Sequence, residues 1–348
     1  MGNAVDEALG LLADTGPEYE AFGGRISFAN HGPMVIDALV ALGRADTVLE
    51  WAERYRPRLD PKPDKRAPIE PSDWRSALGD MSRARDWADF FDSELADSPW
   101  QEVANRWLPR LAPGTAFGVH GAIRTAHAVR NVGRATSAAR VHELAEGLAY
   151  WAAQYGELPR QRARARNLLP SRALNELEQL DRSERANTLL FTDAFRKLVD
   201  VPAFAAATDL IDTHDLSVTL SDLALVFSGV LIANNATVNP RGLSHSLTGA
   251  MLQPHLSPDV TEVTLRYGWQ MAAAFYCAVV LEPPTTEVAP PPEAIDEIID
   301  EALQCPDEHG IKVTEACLRE YESTPEPVLL VAALSTTRRL NEVGINLY

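Results

Sequence analysis

Residues 28–44, FANHGPMVIDALVALGR, predict a helix with almost no polar face. Asn30 can cap this helix and Pro33 suits its first turn. Because a helix that is apolar nearly all round must be covered by other elements, we expect it to lie at the centre of the core. His31 then lies at the mouth of a buried helix rather than in a loose surface loop.

The rest of the chain shows the same helical periodicity, and alternating runs rich in Val, Ile and Thr are scarce. The predicted fold class is therefore all-α, as a single large multi-helix domain over residues 1–348. Two proline-rich stretches, 57–73 and 282–293, interrupt the helices but are too short to separate independent domains. Helices are predicted near residues 33–55, 84–110, 117–130, 136–155, 171–200, 203–212, 219–234, 257–281, 292–304, 308–322 and 326–341.

Composition and charge exclude several classes of protein. The 348 residues are 46% hydrophobic, enough for a large core, and the formal charge of −17 makes nucleic acid a poor partner. The basic run at residues 160–167, RQRARARN, is interpreted as a solvated surface segment against this acidic background. Three cysteines without CxxC spacing indicate buried thiols in a reducing compartment.

No targeting or membrane segment is predicted. The first 16 residues lack the basic start and the long apolar run of a secretory signal. The apolar stretch 223–233, LALVFSGVLIA, is too short to cross a bilayer and contains Ser228 and Gly229. We therefore expect a cytoplasmic protein without a membrane partner.

One lysine stands out in a chain that uses arginine for most of its basic residues. The four lysines are Lys62, Lys65, Lys197 and Lys312. The first two lie in the proline-rich loop, where we expect solvent to be their partner. Lys312 instead lies in PDEHGIKVTEACLREY, residues 306–321, a helix that Asp307 can cap and that has apolar residues on two faces. Burial there would lower the lysine pKa and yield a nucleophilic neutral amine.

Four of the eight histidines lie beside small residues at or near predicted helix ends: His31, His120, His245 and His309. Imidazoles that converged from these segments between the helices would suit a first-row transition metal. The motifs HEXXH, CxxC, GxGxxG, Walker A and GxSxG are absent. SHS at residues 244–246 supplies hydroxyls beside an imidazole and leaves a Ser/His hydrolase as an alternative. Adjacency in sequence, however, is not triad geometry.

Five motifs together resemble one known family, the questin oxidase-like family, in a bacterial branch. They occur in the family's order from about residue 28 to residue 335: NHGPMVIDALVALGR, GVHGAIRTAHAVR, HELAEGLAYWAAQYGELP, LSHSLTGAM and DEHGIKVTEACLREY. The resemblance implies a non-heme iron oxygenase that acts with dioxygen on an aromatic polyketide or quinone-like secondary metabolite. Ring opening and Baeyer–Villiger-type oxidation are the two reactions that it suggests.

The resemblance also implies a ligand set for Fe(II). Carried over by position, the imidazole ligands are His31, His120, His245 and His309, and Lys312 is the fifth ligand after carboxylation by carbon dioxide. A lysine carbamate presents oxygens to a metal as a carboxylate does but reaches further, and arginine cannot readily form one. NADPH as an external reductant and the oligomeric state stay open.

Other residues are candidates for roles around this site. Arg124 stands where fungal relatives have a histidine. We expect it to hold a phenolate or carboxylate of the small aromatic substrate, because a guanidinium stays charged when partly buried. His127, Thr248 and Trp269 are candidates for orienting a ligand or lining the pocket. Thr248 has an alternative role in satisfying a helix carbonyl, and Trp269 an alternative in core packing.

Two other functional classes fit the same residues. A zinc-type hydrolase or isomerase would use the same ligands without consuming dioxygen. A non-catalytic ligand-binding protein would keep the helical scaffold without a competent metal. Metal content and dioxygen uptake distinguish these two classes from each other and from the iron oxygenase.

Overall fold

The structure, a computed structural model, describes residues 2–21, 24, 26–185, 190–251 and 261–344. Helices dominate these residues, which confirms the predicted all-α class. A short antiparallel hairpin pairs β1 (Glu18–Ala21) with β2 (Ile26–Ala29). The α-helices of the described residues are α1 (Gly2–Leu12), α2 (Gly32–Ala41), α3 (Val48–Tyr55), α4 (Ala84–Asp97), α5 (Trp100–Leu111), α6 (Val119–Arg134), α7 (Ala138–Ala153), α8 (Pro170–Ala173), α9 (Phe191–Arg196), α10 (Leu216–Asn234), α11 (Pro240–Met251), α12 (Thr261–Ala278), α13 (Ile295–Gln304), α14 (Glu308–Ser323) and α15 (Pro327–Val343).

The backbone divides into two compact units. The described residues up to Glu157 form the first unit, together with Thr261, and the other described residues form the second. A single domain over residues 1–348 stays a prediction.

The first unit is built around the close packing of α6 and α7. A Cβ atom added to Gly121 would lie 2.3 Å from the Cα atom of Trp151, so glycine is what allows the two backbones to approach. Helix α4 packs on α7, and α2 packs on α6. The motif HELAEGLAYWAAQY is a core helix as predicted, since Leu144, Leu148 and Trp151 are fully buried.

The second unit places α14 among α10, α11, α13 and α15. Residues 308–318 of α14 are all buried, which confirms the prediction of an embedded helix. Helix α10 is long and apolar enough to cross a membrane by length and composition, so the length argument from residues 223–233 was wrong. Half of its apolar window is buried inside the protein.

Four predicted helices differ from the structure. The helix predicted at 33–55 is divided into α2 and α3, because Gly43 adopts a φ of +75°. The helix predicted at 84–110 is divided into α4 and α5, because the residue before a proline avoids helical backbone and Ser98 precedes Pro99 in an extended conformation. Between 171 and 200 only α8, α9 and short 3₁₀ turns form in the described residues.

Tertiary hydrogen bonds explain the third difference. The Leu180 N–H donates to the Cys277 carbonyl at 2.9 Å, and the Gln179 side-chain amide donates to the Tyr276 carbonyl at 2.8 Å. Carbonyl groups at the end of α12 thus accept hydrogen bonds from residues 179 and 180, in place of the carbonyl groups of a helix. The helix predicted at 203–212 is a 3₁₀ helix at Pro202–Asp209, and residues 257–260 of the helix predicted at 257–281 lie outside the described residues.

Candidate metal centre

In the second unit, α11 and α14 bring two of the predicted histidines together. The ring centroids of His245 and His309 lie 5.1 Å apart, with 75° between the ring planes. Both side chains are buried. Nδ1 of His245 donates to the Gly242 carbonyl at 3.0 Å, and Nδ1 of His309 donates to Oδ1 of Asp307 at 2.7 Å. With the proton on Nδ1, each neutral ring carries its lone pair on Nε2, which is the tautomer that binds a metal through Nε2.

Lys312 lies one helical turn after His309 and is 1% exposed. Burial lowers the pKa of its amine to about 8, although the negative charges of Glu308 and Asp307 oppose that shift. With this pKa about a tenth of the amine is neutral at pH 7, and a neutral amine is the form that adds carbon dioxide. The prediction of a buried lysine with a lowered pKa is confirmed, and its carboxylation stays a prediction.

Asp307 has two functions at the start of α14. It caps the helix as predicted, since its Oδ1 accepts the His309 N–H at 3.1 Å, and the same oxygen accepts Nδ1–H of the ring. Its Oδ2 pairs with Nε of Arg241. Burial alone would raise the pKa of Asp307, but His309 and Arg241 outweigh it and hold the pKa well below its usual range. Burial lowers the pKa of His309, which favours the neutral ring.

In the first unit, the structure pairs the other two predicted histidines. His31 is the N-cap residue of α2, and His120 lies in the first turn of α6. Their rings are stacked, with centroids 5.2 Å apart and 23° between the planes. Pro33 lies in the first turn as predicted, but Asn30 acts one residue before the N-cap, where its Oδ1 accepts the Gly32 N–H at 3.0 Å. The His31 N–H donates to the Tyr55 hydroxyl at 3.0 Å.

His127 belongs to a buried ion-pair network that joins α2 to α6. Its Nδ1 lies 2.7 Å from Oδ2 of Asp37, and Arg130 and Arg134 bind the same carboxylate. Burial would raise the pKa of Asp37, but Arg130 and His127 lower it well below its usual range. The structure thus places His127 against a carboxylate of α2, the helix whose N-cap residue is His31.

With this geometry established, comparison with known proteins gives a family. Residues 28–226, more than half of the chain, match the family described as questin oxidase-like. The chain belongs to the questin oxidase-like family. No curated protein matches this questin oxidase-like chain. Membership suggests an oxidase or oxygenase of anthraquinone-type substrates.

The matched range contains only part of the predicted ligand set. His31 and His120 lie within it, whereas His245, His309 and Lys312 lie beyond it. The roles of these five residues in this questin oxidase-like protein therefore stay predictions.

Arg124 pairs with a carboxylate of its own unit. Its Nε and Nη2 donate to the two carboxylate oxygens of Glu143 at 2.6 and 2.8 Å, and both side chains are buried. This bidentate pair raises the pKa of the guanidinium further above its ordinary value, although burial opposes the rise. A role in holding substrate stays a prediction.

The remaining candidates have partners that fit their structural alternatives. The Thr248 hydroxyl donates to the Ser244 carbonyl at 3.1 Å, and Nε1 of the fully buried Trp269 donates to the Ala207 carbonyl at 2.9 Å. Ser244 and Ser246 likewise donate to carbonyls of their own helix. These contacts give no support to a Ser/His hydrolase.

The expectation of a solvated Lys62 was wrong. Its side chain is only 12% exposed, and its Nζ lies 2.6 Å from Oε1 of Glu146 and 3.2 Å from Nε2 of His142. Nδ1 of His142 in turn lies 2.9 Å from Asp92. The proline-rich loop places Lys62 beside charged residues of α4 and α7. These partners are distant in sequence, so no local pattern could have predicted the contact.

Proposed function

We propose that this chain is a non-heme iron oxygenase that uses dioxygen to oxidise an aromatic polyketide or a similar quinone-like metabolite. The observation that carries the proposal is the buried group of His245, His309 and Lys312 in the second unit. Membership of the questin oxidase-like family supports the reaction class.

The chemistry of this group fits iron. Two neutral imidazoles with Nδ1 held by hydrogen bonds offer nitrogen donors, and a carbamate on Lys312 would add an oxygen donor, a mixture that first-row transition metals accept. As the resemblance implies, His31 and His120 are proposed as the other imidazole ligands.

The carbamate requires only the amine and carbon dioxide. The neutral Nζ forms a bond to the carbon of CO₂ and loses one proton, which leaves a carboxylate on the lysine. The lowered pKa of Lys312, to about 8, supplies the neutral amine that this step needs, and burial protects the product from water. Arginine at this position would keep its proton and its positive charge.

Iron(II), when bound, would supply the one-electron chemistry that allows dioxygen to react with an organic substrate. The protein would contribute the orientation of the imidazoles and a site from which water is excluded. Ring opening that inserts both oxygen atoms needs no added electrons, whereas a Baeyer–Villiger reaction inserts one atom and needs two electrons to reduce the other to water. The effect of NADPH therefore distinguishes the two reactions.

The test is anaerobic purification followed by elemental analysis of wild type, Lys312→Arg and His309→Ala, with Lys197→Arg as a control at an exposed lysine. We expect near-stoichiometric iron in wild type and in the control, and loss of iron and of oxygen uptake with anthraquinones in the other two. ¹³C-bicarbonate should give a carbamate NMR signal that is absent in Lys312→Arg. Undiminished turnover in Lys312→Arg would defeat the proposed role, and zinc in the wild type would favour a hydrolase or isomerase.

A further inference from the structure

We propose that Arg241 is a positioning residue for His309, which it orients through Asp307. This inference rests on the proposed function, because its purpose is to set a metal ligand. Three side chains form one continuous path: Arg241 on α11, Asp307 at the N-cap of α14, and His309 in the first turn of α14. All three belong to the second unit.

The two oxygens of Asp307 are engaged from different directions. Oδ1 accepts both the backbone N–H and Nδ1–H of His309, and Oδ2 pairs with Nε of Arg241. A carboxylate held at both oxygens has a fixed plane, so the ring that donates to it has a fixed direction. The acceptor also selects the tautomer, since only a ring protonated at Nδ1 can make this bond while keeping a lone pair at Nε2.

Arg241 also joins three helices. It lies four residues before His245 on α11, so the two side chains leave the same side of that helix. Its Nη2 donates to the Gly344 carbonyl at 2.6 Å, at the C-terminal end of α15. One guanidinium therefore ties the helix of His245 to the start of the helix of His309 and to the end of α15.

Burial makes this connection strong. The Arg241 and Asp307 side chains are 12% and 4% exposed, so solvent screens their attraction little. The planar fork of arginine can bind Asp307 and the Gly344 carbonyl together, whereas lysine offers a single point charge. The separation of 5.1 Å between the His245 and His309 rings then depends on Arg241 as well as on helix packing.

The test separates capping from orientation. Asparagine caps a helix as well as aspartate does, so Asp307→Asn keeps the cap but removes the charge that binds Arg241. Arg241→Gln removes the guanidinium, and Arg241→Lys keeps the charge without the fork. The matched control is Arg319→Lys, which alters an ion pair with Glu315 further along α14 at 2.8 Å.

Two measurements apply to each variant. ¹⁵N NMR of histidine-labelled protein without metal reports the tautomer of His309, assigned with His309→Gln. Competition with a chromophoric chelator under anaerobic conditions reports the iron dissociation constant. We expect wild type and Arg319→Lys to hold the Nδ1–H tautomer. Arg241→Gln and Asp307→Asn should show mixed tautomers and a dissociation constant raised by about 10- to 100-fold, with Arg241→Lys between them.

Arg241→Lys or Arg241→Gln that is folded by circular dichroism, keeps the wild-type tautomer and binds iron within about twofold of wild type would overturn the proposal. If Arg241→Gln does not fold, the results for Arg241→Lys and Asp307→Asn decide whether Arg241 orients His309. Failure of wild type to bind iron would instead refute the proposed function, and the tautomer measurement, which needs no metal, would still decide the role of Arg241.

Discussion

Nδ1 of His309 lies 2.7 Å from the carboxylate of Asp307, the residue that also caps the helix on which His309 lies. The helix cap and the orientation of the His309 ring therefore depend on one side chain. In the first unit His31 is itself the N-cap residue of α2, although its side chain makes no capping hydrogen bond. Both histidines lie at the start of a buried helix, which limits the directions that their rings can take.

The close packing of α6 and α7 predicts opposite effects for two glycine substitutions on one helix. Gly121→Ala places a Cβ atom 2.3 Å from backbone atoms of Trp151, so the helices must separate, and we expect the free energy of unfolding to fall by about 2 kcal/mol. At Gly133 the same Cβ meets nothing within 4 Å, and we expect a gain of about 0.5 kcal/mol from the lower entropy of the unfolded chain. Urea unfolding measures both values, and two changes of the same sign would contradict the packing argument.

The burial of Lys62 predicts that the two loop lysines differ in importance. Lys62→Met leaves the carboxylate of Glu146 buried without its main cation, and we expect a loss of about 3 kcal/mol at pH 8. Lys65 pairs with Asp89 at 2.6 Å but is 61% exposed, so Lys65→Met should cost less than about 1 kcal/mol. Equal losses in urea unfolding would mean that Lys62 is solvated in solution, as the sequence alone had suggested.

The sequence predicts what local pattern determines and misses what distant partners determine. The Asp307 cap, the burial of Lys312 and the position of His31 follow from helical periodicity and capping chemistry within a few residues. The breaks at Gly43 and Pro99 also had local signals, but continuous apolar periodicity masked them. Arg241 and Lys62 could not have been found this way, because nothing near them in sequence identifies Asp307 or Glu146 as their partners.

The bidentate contact of Arg124 predicts a compensating double mutant. Arg124→Met leaves the buried carboxylate of Glu143 without its cation, and we expect the free energy of unfolding to fall by about 3 kcal/mol. Adding Glu143→Leu removes the stranded charge and should recover most of that loss. Thermal and urea unfolding of the two single variants and the double variant provide the cycle. A stable double mutant that cannot turn over substrate would assign Arg124 a role in substrate binding beyond this ion pair.

The Asp92–His142 pair predicts how stability depends on pH. The hydrogen bond to Asp92 raises the pKa of His142, while burial and the charge of Lys62 oppose the rise. Because the folded pKa lies above the unfolded value of about 6.5, the protonated ring stabilises the folded state. This contribution is fully present below pH about 6.5 and is lost as pH rises through the folded pKa.

Asp92→Asn and His142→Gln test this expectation. Each should reduce the free energy of unfolding more at pH 5.5 than at pH 8.5, since the contribution they remove exists only while the ring is protonated. Urea unfolding at the two pH values gives the difference, and an NMR titration of His142 in wild type and in Asp92→Asn shows whether the pKa falls when the carboxylate is neutralised. If both variants lost the same free energy at each pH, the pKa of His142 would be the same in the folded and the unfolded protein, and the contact with Asp92 would not favour the protonated ring.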